Sequence, residues 1–236
     1  MVYSRFTSGT SKRNVCSVNE CFFDSWSSDM AYVLGFFAAD GCLTKNPKRQ
    51  NYYIEFVSTD LDVLEKIKQA LKSQHKISSR KRDSRWKQCY RLQIGSKKVF
   101  TDLLKLGFTQ NKSNTMSLPE IAIEYFGDFL RGYFDGDGCI SFGIYKRKNR
   151  PSGQKLITIR FTSGSERFLI QLKNKIAEVC RISGGFTYKK QRGGYELVYS
   201  NLDTLKILRY IYQCKNCIYM NRKYNKSMEI LAPEGW

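Results

Sequence analysis

Two aspartates stand where a carboxylate has little to hold it. Asp40 closes the apolar run AYVLGFFAAD and Asp137 closes DFLRGYFDGD, each followed at once by a glycine, Gly41 or Gly138. A carboxylate at the end of a buried helix is costly unless a cation or polar partner compensates. The stretch LGFFAADGC offers Asp40 no such partner. Two carboxylates side by side bind Mg²⁺ or a similar hard cation, and beneath a cationic groove that arrangement suits phosphodiester hydrolysis. The plainer possibility is that each aspartate merely ends a helix in a turn. It would suit one copy; two copies at equivalent places in one chain weigh against it.

The equivalence comes from an internal repeat. AYVLGFFAADGCL from Ala31 aligns with DFLRGYFDGDGCI from Asp128, pairing Gly35 with Gly132, Phe37 with Phe134, Asp40 with Asp137 and Cys42 with Cys139. Further on, IEFVSTDLDVLEKIK from Ile54 matches IRFTSGSERFLIQLK from Ile159, and YRLQI from Tyr90 meets YELVY from Tyr195. The offset grows between these blocks, which places an insertion in the hairpin around YKRKNRPSGQK (145–155).

Each copy predicts the same elements: a short helix ending at the Asp-Gly pair, an alternating hairpin, an amphipathic helix, a second hairpin and another helix. Leu61, Leu64, Ile67 and Leu71 stripe one amphipathic helix, and Phe168, Leu169, Leu172 and Ile176 stripe its counterpart. The closing helices start near Val99 and Leu202. The expected class is α+β: two pseudo-symmetric αββαββα halves with antiparallel saddle-shaped sheets, helices on one face, and a two-helix interface between them. Gly35 and Gly132 would let the two motif helices meet backbone to backbone, and Gly41 and Gly138 would act as helix stops. The other face of each sheet is left for a ligand. The organisation expected is a polar, basic tail over 1–24, one half over 25–115 and the other over 116–236. The tail is either flexible or laid along a polyanion backbone.

Forty Lys and Arg against 21 Asp and Glu leave a net charge of +19. A polyanion relieves that self-repulsion, so nucleic acid is the expected partner and an ordinary metabolic enzyme fits poorly. A membrane-surface protein would gather its charge on one amphipathic helix, whereas here it is spread over several segments. No apolar stretch reaches about 18 residues and none follows the basic start, so neither a membrane span nor a secretory leader is expected. Much of the charge falls in hairpins. The candidate DNA contacts are Lys45 and Arg49; Arg80, Lys81, Arg82, Arg85, Lys87, Arg91 and Gln93; Lys146, Arg147, Lys148, Arg150, Lys155 and Arg160; and Lys189, Lys190 and Arg192. On a two-stranded ribbon such side chains can enter the major groove, Arg toward guanine and Gln toward adenine. The eight cysteines read as reduced thiols, most of them in apolar or strand-like stretches where a free thiol behaves as a small hydrophobe. The CxxC of Cys214 and Cys217 has no second pair and the sole histidine, His75, is far away in sequence, so no zinc site is expected.

GFFAADG from Gly35 and GYFDGDG from Gly132, each in an apolar helix, resemble the two signature motifs of the LAGLIDADG homing endonucleases in their single-chain form. The resemblance covers roughly residues 20 to 230. It implies that the motif helices form the central interface and that Asp40 and Asp137, with the adjoining Ala39 and Gly136, hold the metal. It implies cleavage of both DNA strands across the minor groove of a long, weakly symmetric site, leaving short 3′ overhangs. Mg²⁺ or Mn²⁺ is the implied cofactor, with Ca²⁺ binding but not supporting cleavage. A basic residue near the metal water is implied in each half; Lys112 in TQNKSN and Lys223 in NRKYNKS match best, with Lys97, Lys98 and Lys226 as rivals. Asp135, which faces Ala38 of the first motif in the alignment, is not a family ligand and is expected to cap or brace its helix end. A monomer with internal pseudo-two-fold symmetry is expected, with no obligate protein partner, soluble inside a bacterial cytoplasm or an organelle. The competing function is a non-cleaving nucleic-acid binder on the same fold, an intron RNA maturase or transcription regulator. Such relatives commonly lose one or both motif acids, and both are present here.

Overall fold

The structure is a computed structural model, and it describes residues 16–46, 48, 50–80, 87–147, 150–191 and 193–232. Helix α1 (Ser28–Asp40) leads into strands β1 (Gly41–Asn46) and β2 (Asn51–Ser58), then α2 (Leu61–Ala70), β3 (Ile77–Arg80), β4 (Cys89–Gly95) and α3 (Lys97–Lys105). The order repeats as α4 (Phe126–Asp137), β5 (Gly138–Arg147), β6 (Arg150–Ser163), α5 (Glu166–Cys180), β7 (Phe186–Lys189), β8 (Tyr195–Ser200) and α6 (Asn201–Ile211). The expected αββαββα order holds in both copies, and a further helix, α7 (Asn221–Leu231), follows. Hydrophobic periodicity could not announce α7, because two of its three buried positions, Lys223, Ser227 and Ile230, are polar.

The strands form two four-stranded antiparallel sheets, ordered β1-β2-β4-β3 and β5-β6-β8-β7. Their registers superpose. Gly41 faces Phe56 and Leu43 faces Ile54 in one; Gly138 faces Phe161 and Ile140 faces Ile159 in the other. Phe56 faces Leu92 as Phe161 faces Leu197. The inserted residues lengthen the β5–β6 hairpin, whose register slips between Tyr145 and Arg147. Ile54, Phe56, Leu92 and Ile94 point toward the helices and are fully buried, as are Ile159, Phe161 and Leu197 in the second sheet.

Helix α1 is apolar around its whole circumference, with every residue from Met30 to Ala38 buried. It lies between its own sheet and α4, so no face is left for water. Its start is fixed by Ser27, whose hydroxyl accepts from the Met30 N–H at 3.1 Å. The crossing of α1 and α4 explains the two glycines. A Cβ on Gly35 would fall on the Phe129 carbonyl and 2.9 Å from the Tyr133 nitrogen; one on Gly132 would fall on the Tyr32 carbonyl and 2.9 Å from the Phe36 nitrogen. Gly132→Ala is therefore expected to cost at least about 1–3 kcal/mol, the scale of overpacking a rigid contact. A urea midpoint unchanged from the parent would contradict that packing.

Gly41 and Gly138 need a correction. Neither uses a left-handed cap: φ is −86° at Gly41 and −90° at Gly138, both extended. They are glycines for room, since a Cβ would run into the Phe37 ring and the Phe134 ring respectively. The cysteine expectation also fails in two respects. Cys214 and Cys217 are joined in a disulfide, and of the six free cysteines Cys16, Cys21, Cys42 and Cys139 are exposed, not packed. No helix among the described residues is long and apolar enough to cross a membrane.

Candidate functional site

Asp40 and Asp137 sit at the C-terminal ends of the crossed helices, half-buried. The two ends are in contact: a Cβ on Gly136 would meet the Ala39 methyl and come within 3.4 Å of Asp40 Oδ2. Burial and then the neighbouring Asp137 charge push Asp40 up to about 6, against the opposing pull of Lys223 and Lys112. Asp137 is raised by burial and held down by Lys112, Lys223 and Lys190.

Each carboxylate has a buried lysine behind it, and the two lysines do the same thing in their two halves. Lys112, in a 3₁₀ turn at Lys112–Asn114, sends Nζ to the carbonyls of Ala38 at 2.8 Å and Ala39 at 3.5 Å, 5.6 Å from the Phe37 ring centre. Lys223 of α7 donates to the carbonyls of Phe134 at 2.5 Å, Asp135 at 2.8 Å, Gly136 at 3.3 Å and Gly138 at 2.6 Å, 5.1 Å from the Phe134 ring centre. Ala38, Ala39 and Phe37 are the repeat partners of Asp135, Gly136 and Phe134. Both ammonium groups thus neutralise the negative end of their own motif helix. Burial lowers Lys112 and takes Lys223 to about 8. The rivals lie elsewhere: Lys98 pairs with Asp24 and Asp102, Lys97 with the Tyr52 ring, Lys226 with the Phe142 ring.

Asp135 braces the interface. Its Oδ2 accepts from Tyr32 Oη of the other motif helix at 2.6 Å and from the Met220 N–H at 2.8 Å. Its other oxygen has no partner among the described residues, and burial takes the group to about 6. Around it α7 docks on the first half: Arg222 forks onto Asp60 at 3.0 Å twice, the Asn221 N–H reaches Asp62 at 2.9 Å, and Lys66 donates to the Tyr219 carbonyl at 2.6 Å. Sequence reasoning missed Tyr32, yet a signal existed: Tyr32 and Asp135 both break the repeat, opposite Phe129 and Ala38, and they break it by pairing with each other.

The raised carboxylates set a pH dependence. In the folded protein Asp40 and Asp135 keep protons up to about 6 that an unfolded chain has released near 4. The stability this lends is complete below about pH 4 and is lost as pH rises through 6. Asp29 and Asp137, also raised by burial, act in the same direction. His75, lowered by burial, opposes them, and Lys223 and Lys112, also lowered by burial, begin to do so only toward the alkaline end. Carboxylates held low, such as Asp60 and Glu196, have finished titrating by then. The cation-free protein should melt at higher temperature at about pH 5 than at about pH 7.5. A scan showing the reverse order would contradict the burial of these acids.

The candidate DNA contacts divide by face. Arg91 and Gln93 lie on the sheet face opposite the helices, where Gln93 donates to Glu55 at 2.5 Å and Arg91 to Gln93 at 3.1 Å. Arg160 occupies the same face of the second sheet, half-buried. Lys45 shares its side of β1 with buried Leu43 and lies 5.3 Å from the Tyr52 ring centre, so it belongs to the helix side. Lys155 and Lys189 also fall on the helix-side register of their strands, with Ile157 and Leu197. Lys87 and Lys146 are exposed, and Lys190 pairs with Glu196 at 3.0 Å. Arg49, Lys81, Arg82, Arg85, Lys148 and Arg192 lie outside the described residues, as do the side chains of Arg80, Arg147 and Arg150.

Two four-stranded sheets joined through paired motif helices, each ending in an aspartate, define a class. Residues 27–106 match the family description LAGLIDADG-like domain, and residues 130–231 match LAGLIDADG endonuclease. The chain belongs to the LAGLIDADG family, in its tandem two-motif form. Among curated proteins it is similar to Uncharacterized protein MJ0398 of Methanocaldococcus jannaschii, 26% identical over 121 residues. That match takes in 49% of this chain and 40% of the relative, so less than half the relative's length is spanned. Among solved structures it resembles the I-SmaMI LAGLIDADG homing endonuclease bound to cleaved DNA, with TM-score 0.56, 17% identity, and coverage of 89% of this chain and 93% of that one. It resembles I-LtrWI bound to target DNA with TM-score 0.53, 14% identity, and coverage of 92% and 95%. For I-AabMI bound to uncleaved DNA the values are 0.56, 15%, 85% and 89%.

Proposed function

We propose that the protein is a site-specific endonuclease that cuts both strands of a long DNA site, one phosphodiester of each strand, at the centre formed by Asp40 and Asp137. The observation that supports this is the doubled constellation itself. Two carboxylates sit at touching helix ends, each end with a buried lysine donating to its carbonyls, in a chain of +19.

The residues fit a divalent cation. Among the described residues no group of three or more His, Cys, Asp and Glu could hold a metal ion, so an ion here would rest on two carboxylates and the oxygens beside them. The available donors are oxygens: the two carboxylates and the carbonyls of Ala39 and Gly136, a set that suits Mg²⁺. The rise of Asp40 to about 6, from burial first and the Asp137 charge second, marks a carboxylate pair whose charge such an ion would offset. When bound, Mg²⁺ would supply a more acidic water and charge neutralisation at the leaving oxygen. Mn²⁺ fits the same donors, and Ca²⁺, found with uncleaved DNA in an I-SmaMI structure, is proposed to bind without cleavage.

The chain's own groups do the remaining work. Asp40 and Asp137 hold charge at a fixed separation because the glycine-mediated crossing leaves the helices no slack. Lys112 and Lys223 lend positive charge where the phosphate gains negative charge. The open sheet faces, with Arg91, Gln93 and Arg160, bind and orient the duplex. A water oxygen joins phosphorus as the bond to the 3′ oxygen breaks, leaving a 5′ phosphate and a 3′ hydroxyl.

A plasmid carrying the protein's site, incubated with Mg²⁺, should pass from supercoiled to nicked to linear. A mobility shift with no nicking would favour the non-cleaving alternative, a maturase or regulator.

A further inference from the structure

The two open sheet faces can be compared position by position, because their registers superpose. Glu55 of β2 corresponds to Arg160 of β6, Arg91 of β4 to Glu196 of β8, and Gln93 to Val198. Ser78, which faces Arg91, corresponds to Tyr188, which faces Glu196. The charges are inverted at two positions and polarity is lost at the other. In the first half the face is a donor–acceptor network, with Gln93 and Arg91 both linked to Glu55. In the second half it is an aromatic surface. Phe186 is 56% exposed and Tyr188 42% exposed, and their rings stack with centres 5.9 Å apart. Val198, facing Phe186 across the ladder, is buried.

Exposed aromatics on an edge strand are a liability unless something covers them. The Tyr188 hydroxyl is already committed, donating to Glu196 at 2.5 Å, and Glu196 also takes Lys190 at 3.0 Å. What remains available is apolar ring area. In the major groove the one apolar group on a base edge is the thymine methyl. Arg160 lies on the same face and brings a positive charge to it, the sign a polyanion backbone attracts.

We infer that Phe186 and Tyr188 read thymine methyl groups in the half-site bound by the second sheet, while the first sheet reads its half-site through Arg91 and Gln93. The inference rests on the nuclease reading above and adds to it which half recognises which chemistry.

The test starts from a duplex library randomised along its length, from which the protein's target is selected. Thymines of one half-site are then replaced by deoxyuridine, which removes only the methyl. Each methyl so removed from a ring face should weaken binding about fourfold, the value of one buried carbon. The effect should appear in one half-site only, and should vanish in the Phe186→Ser/Tyr188→Ser variant, which binds weakly but no longer distinguishes thymine from uracil. Binding indifferent to uracil in both half-sites overturns the inference, as does a uracil effect that persists undiminished in the variant. Selection of no duplex at all would sink the nuclease reading and this inference together. A target that is selected and cut, yet is insensitive to uracil, would sink this inference alone.

Discussion

Asp137→Asn should yield a protein that binds its duplex about as well as the parent and cuts neither strand. The substitution is nearly isosteric, and Asp137 makes no packing contact on which the helix crossing depends; Gly35 and Gly132 carry that crossing. Removing the charge relieves the repulsion that adds to burial in raising Asp40 and gives up the attraction to Lys112, Lys223 and Lys190, two opposing effects on the folded state. Cleavage, in contrast, loses one of the two carboxylates proposed to hold the cation. A drop of about 10²–10³-fold or more is expected, the scale seen when one charge-stabilising group is removed. Asp40→Asn should behave alike. Nicking assays beside mobility shifts decide it, and full cutting by either variant would remove these carboxylates from the mechanism.

Lys223→Met carries the second largest effect, and it divides into two parts. Structurally, the change takes the ammonium donor away from the carbonyls of Asp135, Gly136 and Gly138, and leaves Phe134 with the Gly138 N–H alone. Leaving buried acceptors unpaired costs about 1–3 kcal/mol. Lys112→Met strands only Ala38 and Ala39, so it should be the milder of the two in a urea titration. Chemically, each change should slow cutting by about 10²-fold. The two parts separate by pH. Lys223 titrates at about 8 in the free protein, so cutting by the parent should decline above that pH. In Lys223→Met at a temperature where it remains folded, that decline should disappear. If it persists, Lys223 is a brace for the helix end and nothing more.

Most of this fold can be read directly from the chain, because duplication writes each message twice. The stripe Phe168, Leu169, Leu172 and Ile176 is buried as its spacing predicts, and the strand registers follow the alignment residue by residue. Asp40 and Asp137 are visible as acids out of place in apolar helices. The lysines are harder. Lys112 and Lys223 stand in unlike surroundings, a 3₁₀ turn and a helix, so no local pattern joins them; only the shared target of helix-end carbonyls does. Which basic residue faces which way is legible only through strand parity. By composition Lys45 suits a groove contact, yet it lies beside Tyr52, because register outweighs charge in deciding the side of a sheet. The Tyr32–Asp135 bond belongs to the places where the halves differ, and a repeat search rewards sameness.

The sharpest test concerns whether Asp40 and Asp137 act as one cation site. Mn²⁺ binding can be followed by calorimetry on the parent, Asp40→Asn, Asp137→Asn and the double variant, each with an uncleavable duplex bound. If the ions are shared, either single change removes most of the heat and the double change adds little. Two separate losses that simply sum would mean the carboxylates work apart, and a doubled variant that still binds Mn²⁺ like the parent would mean they hold no cation at all.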